Sequence, residues 1–371
     1  MDKTKVETSF NLVNNENNDI RKIVTDKAYT IYGKPLPQEI QERLNIELNS
    51  IIENELDMIY IITSKLVEKS QEYGYLTGFR GCIGSSLVAY LLGITECNPL
   101  SKKFGGFNIP FETFVGVNFN KVLDINLNIA TDIYKNICEY LDQILKEQKM
   151  CIMVNNVLSS FNRNIVTITG KQIGNIVLLS DDYQVYLKKL HDLTNINPKT
   201  IKLDDEYISD AMINKMCAFT NTEMIKTIIQ ETQAKTFDDL VRIYGLIHGT
   251  DTWQDNAETI ISNEEANLSQ VITSRDDVMV YLMEKGIDRV IAYNIMENVR
   301  KGKGLTADIQ NIMIKHDIPE WYIKSCNKIK YLFPKAHAVN YMLYLLRLAW
   351  YKTNYNKEFN KITKEVRNEY F

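Results

Sequence analysis

The chain has 371 residues, 45% of them hydrophobic and 24% charged, with a formal net charge of −4 and a pI near 5.8. That length supports two or three domains with substantial cores, and the composition excludes a disordered, fibrous or disulfide-stapled protein. The acidic balance excludes a whole-molecule field that draws in phosphate, so a nucleic-acid role has to rest on local basic patches.

In chain order, residues 1–27 are polar and Asn-rich and predict a loose leader. Pro37 then stands at a helix start, and Ile40, Leu44, Leu48 and Ile51 recur at helical spacing. Met58–Leu66 is apolar and isoleucine-rich, and we read it as a strand. The glycine-rich Gly74-Tyr75-Leu76-Thr77-Gly78-Phe79-Arg80-Gly81-Cys82-Ile83-Gly84-Ser85-Ser86 follows as a turn into a helix over Leu87–Ile94. Gly81 and Gly84 permit close backbone approach, Ser85 or Ser86 caps the helix, and its free amides would meet a phosphate beside Arg80. No Gly-Lys-Ser/Thr ends this run, so it is not a Walker loop, and standing alone it reads more readily as an ordinary tight turn.

Lys121-Val122-Leu123-Asp124-Ile125-Asn126-Leu127-Asn128 has strand alternation. It places Asp124 and Asn126 on one face, as an Asp-x-Asp metal pair would be placed, but with an amide in the second position. Two divalent cations about 4 Å apart repel by roughly 4 kcal/mol even in a water-like dielectric, and an amide neutralises none of that charge.

Between Arg300 and Lys352 ten basic residues face only Asp308, Asp317 and Glu320. Tyr341–Trp350 is apolar almost all round, which predicts a buried core helix and not a base-stacking platform. His248 and His337 lack metal-ligand spacing and read as structural histidines. Six cysteines (Cys82, Cys97, Cys138, Cys151, Cys217, Cys326) form no Cys-x-x-Cys pair, which predicts reduced, mostly core thiols and no zinc module. No apolar run follows Met1 and no window approaches about 18 apolar residues, so we expect a cytoplasmic protein without a membrane partner.

Several of these segments, in order, resemble PolC-type DNA polymerase III, the replicative enzyme of low-GC Gram-positive bacteria. The matching runs include Gly78–Ser86, Ile94-Thr95-Glu96-Cys97-Asn98-Pro99-Leu100 and Ile109-Pro110-Phe111-Glu112-Thr113-Phe114. Further on they include Gly245–Trp253, Arg275–Leu282, Val299-Arg300-Lys301-Gly302-Lys303-Gly304-Leu305 and Phe333-Pro334-Lys335-Ala336-His337-Ala338. The resemblance implies an α+β, largely helical protein, with a nucleotidyltransferase-type palm followed by a helical fingers domain. We place a polar leader at 1–27, a shortened palm-like domain at 28–205, a helical fingers-like domain at 206–352 and a polar tail at 353–371. It also implies DNA and dNTP as partners, with replisome proteins as further candidates, and Mg2+ as the metal of an active site containing Asp124. Candidate nucleotide and DNA ligands are Arg80, Gly81, Gly84, Ser85, Lys301, Lys303 and Lys335.

Departures from the family pattern are equally informative. Ser101–Asn108 is short where the family has a cysteine-rich zinc insertion, so no zinc is expected. Gln172-Ile173-Gly174-Asn175 stands where the family has His-Pro-Gly-Gly, and no counterpart of the third catalytic Asp is found; Asp181 and Asp182 align better with a loop. Glu223 and Lys226 replace arginines, and a glutamate repels a triphosphate. The leading expectation is a catalytically impaired or inactive PolC-like protein, a pseudoenzyme that retains DNA or nucleotide binding. One alternative is an active minimal DNA polymerase whose metals are held by Asp124, Asn126 and Asp181 or Asp182. A third is a polymerase mimic that binds a replisome.

Overall fold

Asp19 opens α1 (Ile20–Tyr32) by accepting the Arg21 N–H, and this helix buries Ile20, Val24 and Ala28. Residues 20–27, read from sequence as leader, are therefore helical. Pro37 precedes α2 (Gln38–Glu53), which buries Ile40, Leu44, Leu48 and Ile51 as their spacing predicts. The computed structural model describes residues 19–117, 123–147, 151–157, 160–166, 172–220 and 223–370.

Met58–Leu66 is not a strand. It lies in α3 (Asp57–Glu72), a helix of 16 residues that buries Met58 through Ser64 without a break, then Leu66, Val67 and Ser70. A helix enclosed on nearly all sides shows no 3.6-residue periodicity, and its Ile59, Ile61 and Ile62 mimic strand composition; only its length separates the two readings.

The chain continues through β1 (Gly78–Arg80), a 3-10 turn at Ile83–Ser85, α4 (Leu87–Leu91), α5 (Glu112–Val115), β2 (Leu123–Ala130) and α6 (Tyr134–Glu147). After β3 (Cys151–Val157), β4 (Ser160–Val166) and β5 (Gln172–Asp181) comes α7 (Tyr183–Thr194). The five strands form one sheet in the order β1-β2-β5-β4-β3, with β2 and β5 parallel and the other pairs antiparallel. Leu123, Ile125, Leu127 and Ile129 are buried on one face, and α3 and α6 pack against the sheet. Gly174 permits this packing, because a Cβ there would lie 2.5 Å from Ile59 Cδ1 of α3.

The remaining helices are α8 (Asp210–Thr220), α9 (Glu223–Thr232), α10 (Phe237–His248), α11 (Glu258–Ser262), α12 (Arg275–Glu284), α13 (Arg289–Arg300), α14 (Ala307–Lys315), α15 (Glu320–Lys328), α16 (Lys335–Asn354) and α17 (Asn356–Tyr370). Polar caps fix their starts: Thr236 and Asp239 form a capping box on α10, and Ser274, Asp288 and Thr306 cap α12, α13 and α14. The expected core helix is α16, which buries Val339, Met342, Leu345, Leu346 and Ala349 against α8, α10, α12 and α17. Residues 356–370, read as polar tail, are helical.

The chain divides into two compact units, one ending at Gly106 and resuming over Phe114–Lys188, the other made of Phe107–Thr113 and Lys189–Phe371. Within the second, Arg275 donates to the Thr113 carbonyl at 2.6 Å and Arg289 pairs with Glu112 at 2.6 Å, fastening the 107–113 segment to the helices. The chain as a whole is α+β and largely helical. Among the described residues no helix is long and apolar enough to cross a membrane, and Cys97, Cys138, Cys217 and Cys326 are buried.

Candidate functional site

Strand alternation turns Asp124, Asn126 and Asn128 of β2 to the face opposite the apolar residues of that strand. Parallel pairing sets Asp124 against Asn175 and Asn126 against Val177 of β5. Asn175 Nδ2 donates to Asp124 Oδ1, so the exposed carboxylate already faces an amide donor. Asp124 therefore shares its stretch of sheet with two amides, Asn126 and Asn175.

Asp181 and Asp182 do not join it. Asp181 pairs with Ala130, six residues further along β2 than Asp124, a backbone separation of roughly 20 Å at about 3.3 Å per residue, and its side chain reaches back only as far as Asn128. Asp181 belongs to a different network: Arg80 Nε donates to Asn128 Oδ1 at 3.0 Å, and Asn128 Nδ2 donates to Asp181 Oδ2. The Tyr183 N–H donates to Asp181 Oδ1 at 2.9 Å, and Thr131 Oγ1 donates to Asp182 Oδ1. Asp181 is only 8% exposed, and burial raises its pKa, with Asp182 adding to that rise and the Tyr183 N–H, Arg80 and Asn128 opposing it. Among the described residues no group of three or more His, Cys, Asp or Glu side chains is placed to hold a metal ion.

The glycine-rich turn also differs from expectation. Gly81 adopts φ +76°, which favours glycine, and lies next to Asn126. Ser86, not Ser85, caps α4, accepting the Ala89 N–H at 3.1 Å. The amides expected to meet a phosphate are occupied: Glu47 of α2, fully buried, accepts the N–H groups of Leu87 and Val88 at 3.0 and 3.1 Å and the Ser86 hydroxyl at 2.8 Å. Arg43 completes this arrangement, pairing with Glu47 and donating to the Ser85 carbonyl at 2.7 Å. An internal carboxylate sits where the sequence pointed to a ligand anion. Gly84 and Ser85 are buried in the turn.

In the helical unit, Lys301 and Lys303 follow α13 on a loop whose Gly302 and Gly304 take φ +67° and +69°. Lys303 is exposed, while Lys301 pairs with Glu297 at 2.8 Å, and Arg300 forks onto the same carboxylate. Lys335 is different in kind: 5% exposed, it holds Asp277 Oδ1 at 3.1 Å through Nζ, and its backbone N–H donates to Asp276 at 2.8 Å. Arg242 lies 3.8 Å from Asp277 and 3.1 Å from Asp238. Burial would raise the Asp277 pKa, but Lys335 and Arg242, with the Thr273 and Ser274 hydroxyls, hold it well below the usual carboxylate range. A phosphate reaching Lys335 would have to displace Asp277.

His248 and His337 sit in one ring cluster with Tyr244, Phe333 and Tyr341, and burial lowers the His248 pKa. Glu223 and Lys226 are exposed and pair with each other at 2.9 Å.

With this geometry in view, the family profile for the bacterial DNA polymerase III alpha NTPase domain matches residues 18–250. The chain belongs to the bacterial DNA polymerase III alpha family. Its relatives include the PolC-type DNA polymerases III of Caldanaerobacter subterraneus subsp. tengcongensis, 33% identical over 92% of this chain, and of Thermotoga maritima, 32% identical over 94%. The PolC-type enzyme of Staphylococcus aureus is 31% identical over 91%. This DNA polymerase III alpha family chain spans about a third of the length of these relatives, 33%, 35% and 32% respectively. The alignment with the first runs over 473 positions, more than the 371 residues here, so that relative carries residues within the matched span that this chain lacks.

Sequence reasoning missed Asn175, Asn128, Glu47 and Asp277 as members of these networks. Asn128 was within reach, since it continues the period-2 face of Asp124 and Asn126. Asn175, Glu47 and Asp277 were not, because Asn175 meets Asp124, Glu47 the amides of α4 and Asp277 Lys335 across 40 or more residues of chain, through strand register or helix packing.

Proposed function

We propose that this chain is a polymerase III alpha-type palm-and-fingers module that binds DNA and nucleotide phosphate but has lost efficient nucleotidyl transfer. The unit containing the sheet corresponds to the palm and the helical unit to the fingers. The observation that carries this reading is the surroundings of Asp124: one carboxylate beside two amides, one of which points its N–H at that carboxylate. The family implies Mg2+, and these residues do not fit a two-magnesium site, because two divalent cations need several anionic ligands to offset their mutual repulsion. The minimal-polymerase alternative needed Asp181 or Asp182 beside Asp124, and the β2–β5 register argues against it. Phosphate binding rests on the exposed Lys303 and its neighbour Lys301, presented by glycines and independent of any metal ligand. Lys335 contributes only if a ligand draws it from Asp277.

Primer extension in magnesium and in manganese tests this reading, using the full chain alongside Asp124→Ala and Asn126→Asp. We expect no extended product from the native chain while a primer–template duplex is still retained in a binding assay. Extension by the native chain that disappears in Asp124→Ala would overturn it.

A further inference from the structure

A cleft of about 230 Å³ opens in the helical unit between the turn that precedes α11 and the face of α15. It is smaller than the roughly 300–1,000 Å³ of drug-sized pockets and is scaled to a single ring system. On α15 it is lined by Trp321, Lys324 and Lys328, whose spacing of three and seven residues puts them on one helix face. Trp321 is half-buried, steadied by edge-on contact with Tyr322 at 5.4 Å. Asp255, Glu265 and Glu320, all exposed, line the same cleft.

The backbone here is held in an uncommon form. Within the turn Trp253–Ala257, Gln254 is extended, Asp255 takes φ +51°, and Lys328 Nζ donates to the Asp255 carbonyl at 2.6 Å, tying α15 to the turn. Turns of this kind persist where surrounding contacts enforce them. Lys324 pairs with Glu320 at 2.7 Å, but its side chain is 73% exposed, so its ammonium is readily shared with a second anion.

We propose that this cleft binds an unpaired nucleobase carrying an exocyclic amino group, stacked on Trp321, with its amino group donating to Asp255 or Glu265 and its phosphate at Lys324. Each part follows from the chemistry of the lining. An indole stacks on any base, whereas carboxylates accept hydrogen bonds and cannot donate them, so cytosine, whose N4 amino group donates, is favoured over thymine, whose one edge donor, N3–H, is flanked by the O2 and O4 acceptors that a carboxylate repels. Free nucleotides and unpaired bases within a strand present the same chemistry. This inference does not rest on Asp124 or Lys303.

The test uses the full chain, with fluorescence anisotropy of labelled short dC and dT homopolymers and tryptophan emission titrated with dCMP and dTMP. We expect dC to bind about tenfold more tightly than dT, and quenching by dCMP to vanish in Trp321→Phe. The surface variant Asp255→Asn/Glu265→Gln/Glu320→Gln should bring dC and dT to equal affinity, and Trp321→Ala should weaken dC binding by about tenfold. Quenching by dCMP would identify free nucleotide as a ligand, whereas discrimination seen only with homopolymers would identify a strand. Equal affinity for dC and dT in the native chain, or a dC preference that survives the carboxylate variant, would overturn the proposal. The carboxylate variant alters exposed side chains, so it decides the matter even if Trp321→Ala fails to fold. Lys303→Gln leaves this discrimination intact, which separates it from the phosphate contacts proposed above.

Discussion

Asp277 shows how far a residue's neighbours outweigh its own chemistry. Its carboxylate, with Lys335 at 3.1 Å and Arg242 at 3.8 Å, is held ionised well below the usual range. A folded-state pKa below the unfolded one gives stability that is present above the ordinary carboxylate range and is lost as pH falls through the folded value. Asp277→Asn should therefore cost about 3–5 kcal/mol at neutral pH, and the gap to the native chain should narrow as the pH drops below about 4. Urea unfolding at a series of pH values reads both; a gap independent of pH would show that the charge is not what matters. Lys335 answers the same logic from the other side. The sequence marked it as a phosphate ligand beside Lys301 and Lys303, and nothing in its local pattern distinguishes it from them, because burial and pairing are set by residues 58 positions away.

At the scale of elements, α3 and β5 meet at Gly174. A Cβ there would lie 2.5 Å from Ile59 Cδ1 and 2.9 Å from the Leu123 carbonyl. Gly174→Ala should destabilise the chain by about 1–3 kcal/mol, as overpacking does, and adding Ile59→Val should recover part of the loss by removing the nearer atom. Denaturant midpoints of the single and double variants check this, and additive effects would count against direct contact. The same interface explains the misread strand at Met58–Leu66: α3 is enclosed by its surroundings, so its amphipathic signal is absent. By contrast α2, with one buried stripe, was legible from its spacing alone.

For the whole molecule, a net charge of −4 means that the DNA binding proposed above has to be local and strongly dependent on salt. Lys303→Gln should flatten the slope of log affinity against log salt by a little under one unit, the share of a single phosphate contact. Lys335→Gln should leave the slope unchanged while lowering stability, since its charge is committed to Asp277. A slope altered equally by both variants would place Lys335 on the phosphate after all.

The motifs that mark membership of the bacterial DNA polymerase III alpha family, and through that resemblance the α+β and largely helical class, were legible in the sequence, as were α2, the core helix α16 and the strand bearing Asp124 and Asn126. These depend on side-chain identity and on short periodicities, which a linear chain displays directly. Only the tertiary structure decided which groups meet: Asn175 on Asp124, Asp181 roughly 20 Å along the sheet from it, Glu47 on the amides of α4 and Asp277 on Lys335. Strand register and helix packing join residues distant in sequence, and no local pattern encodes that pairing.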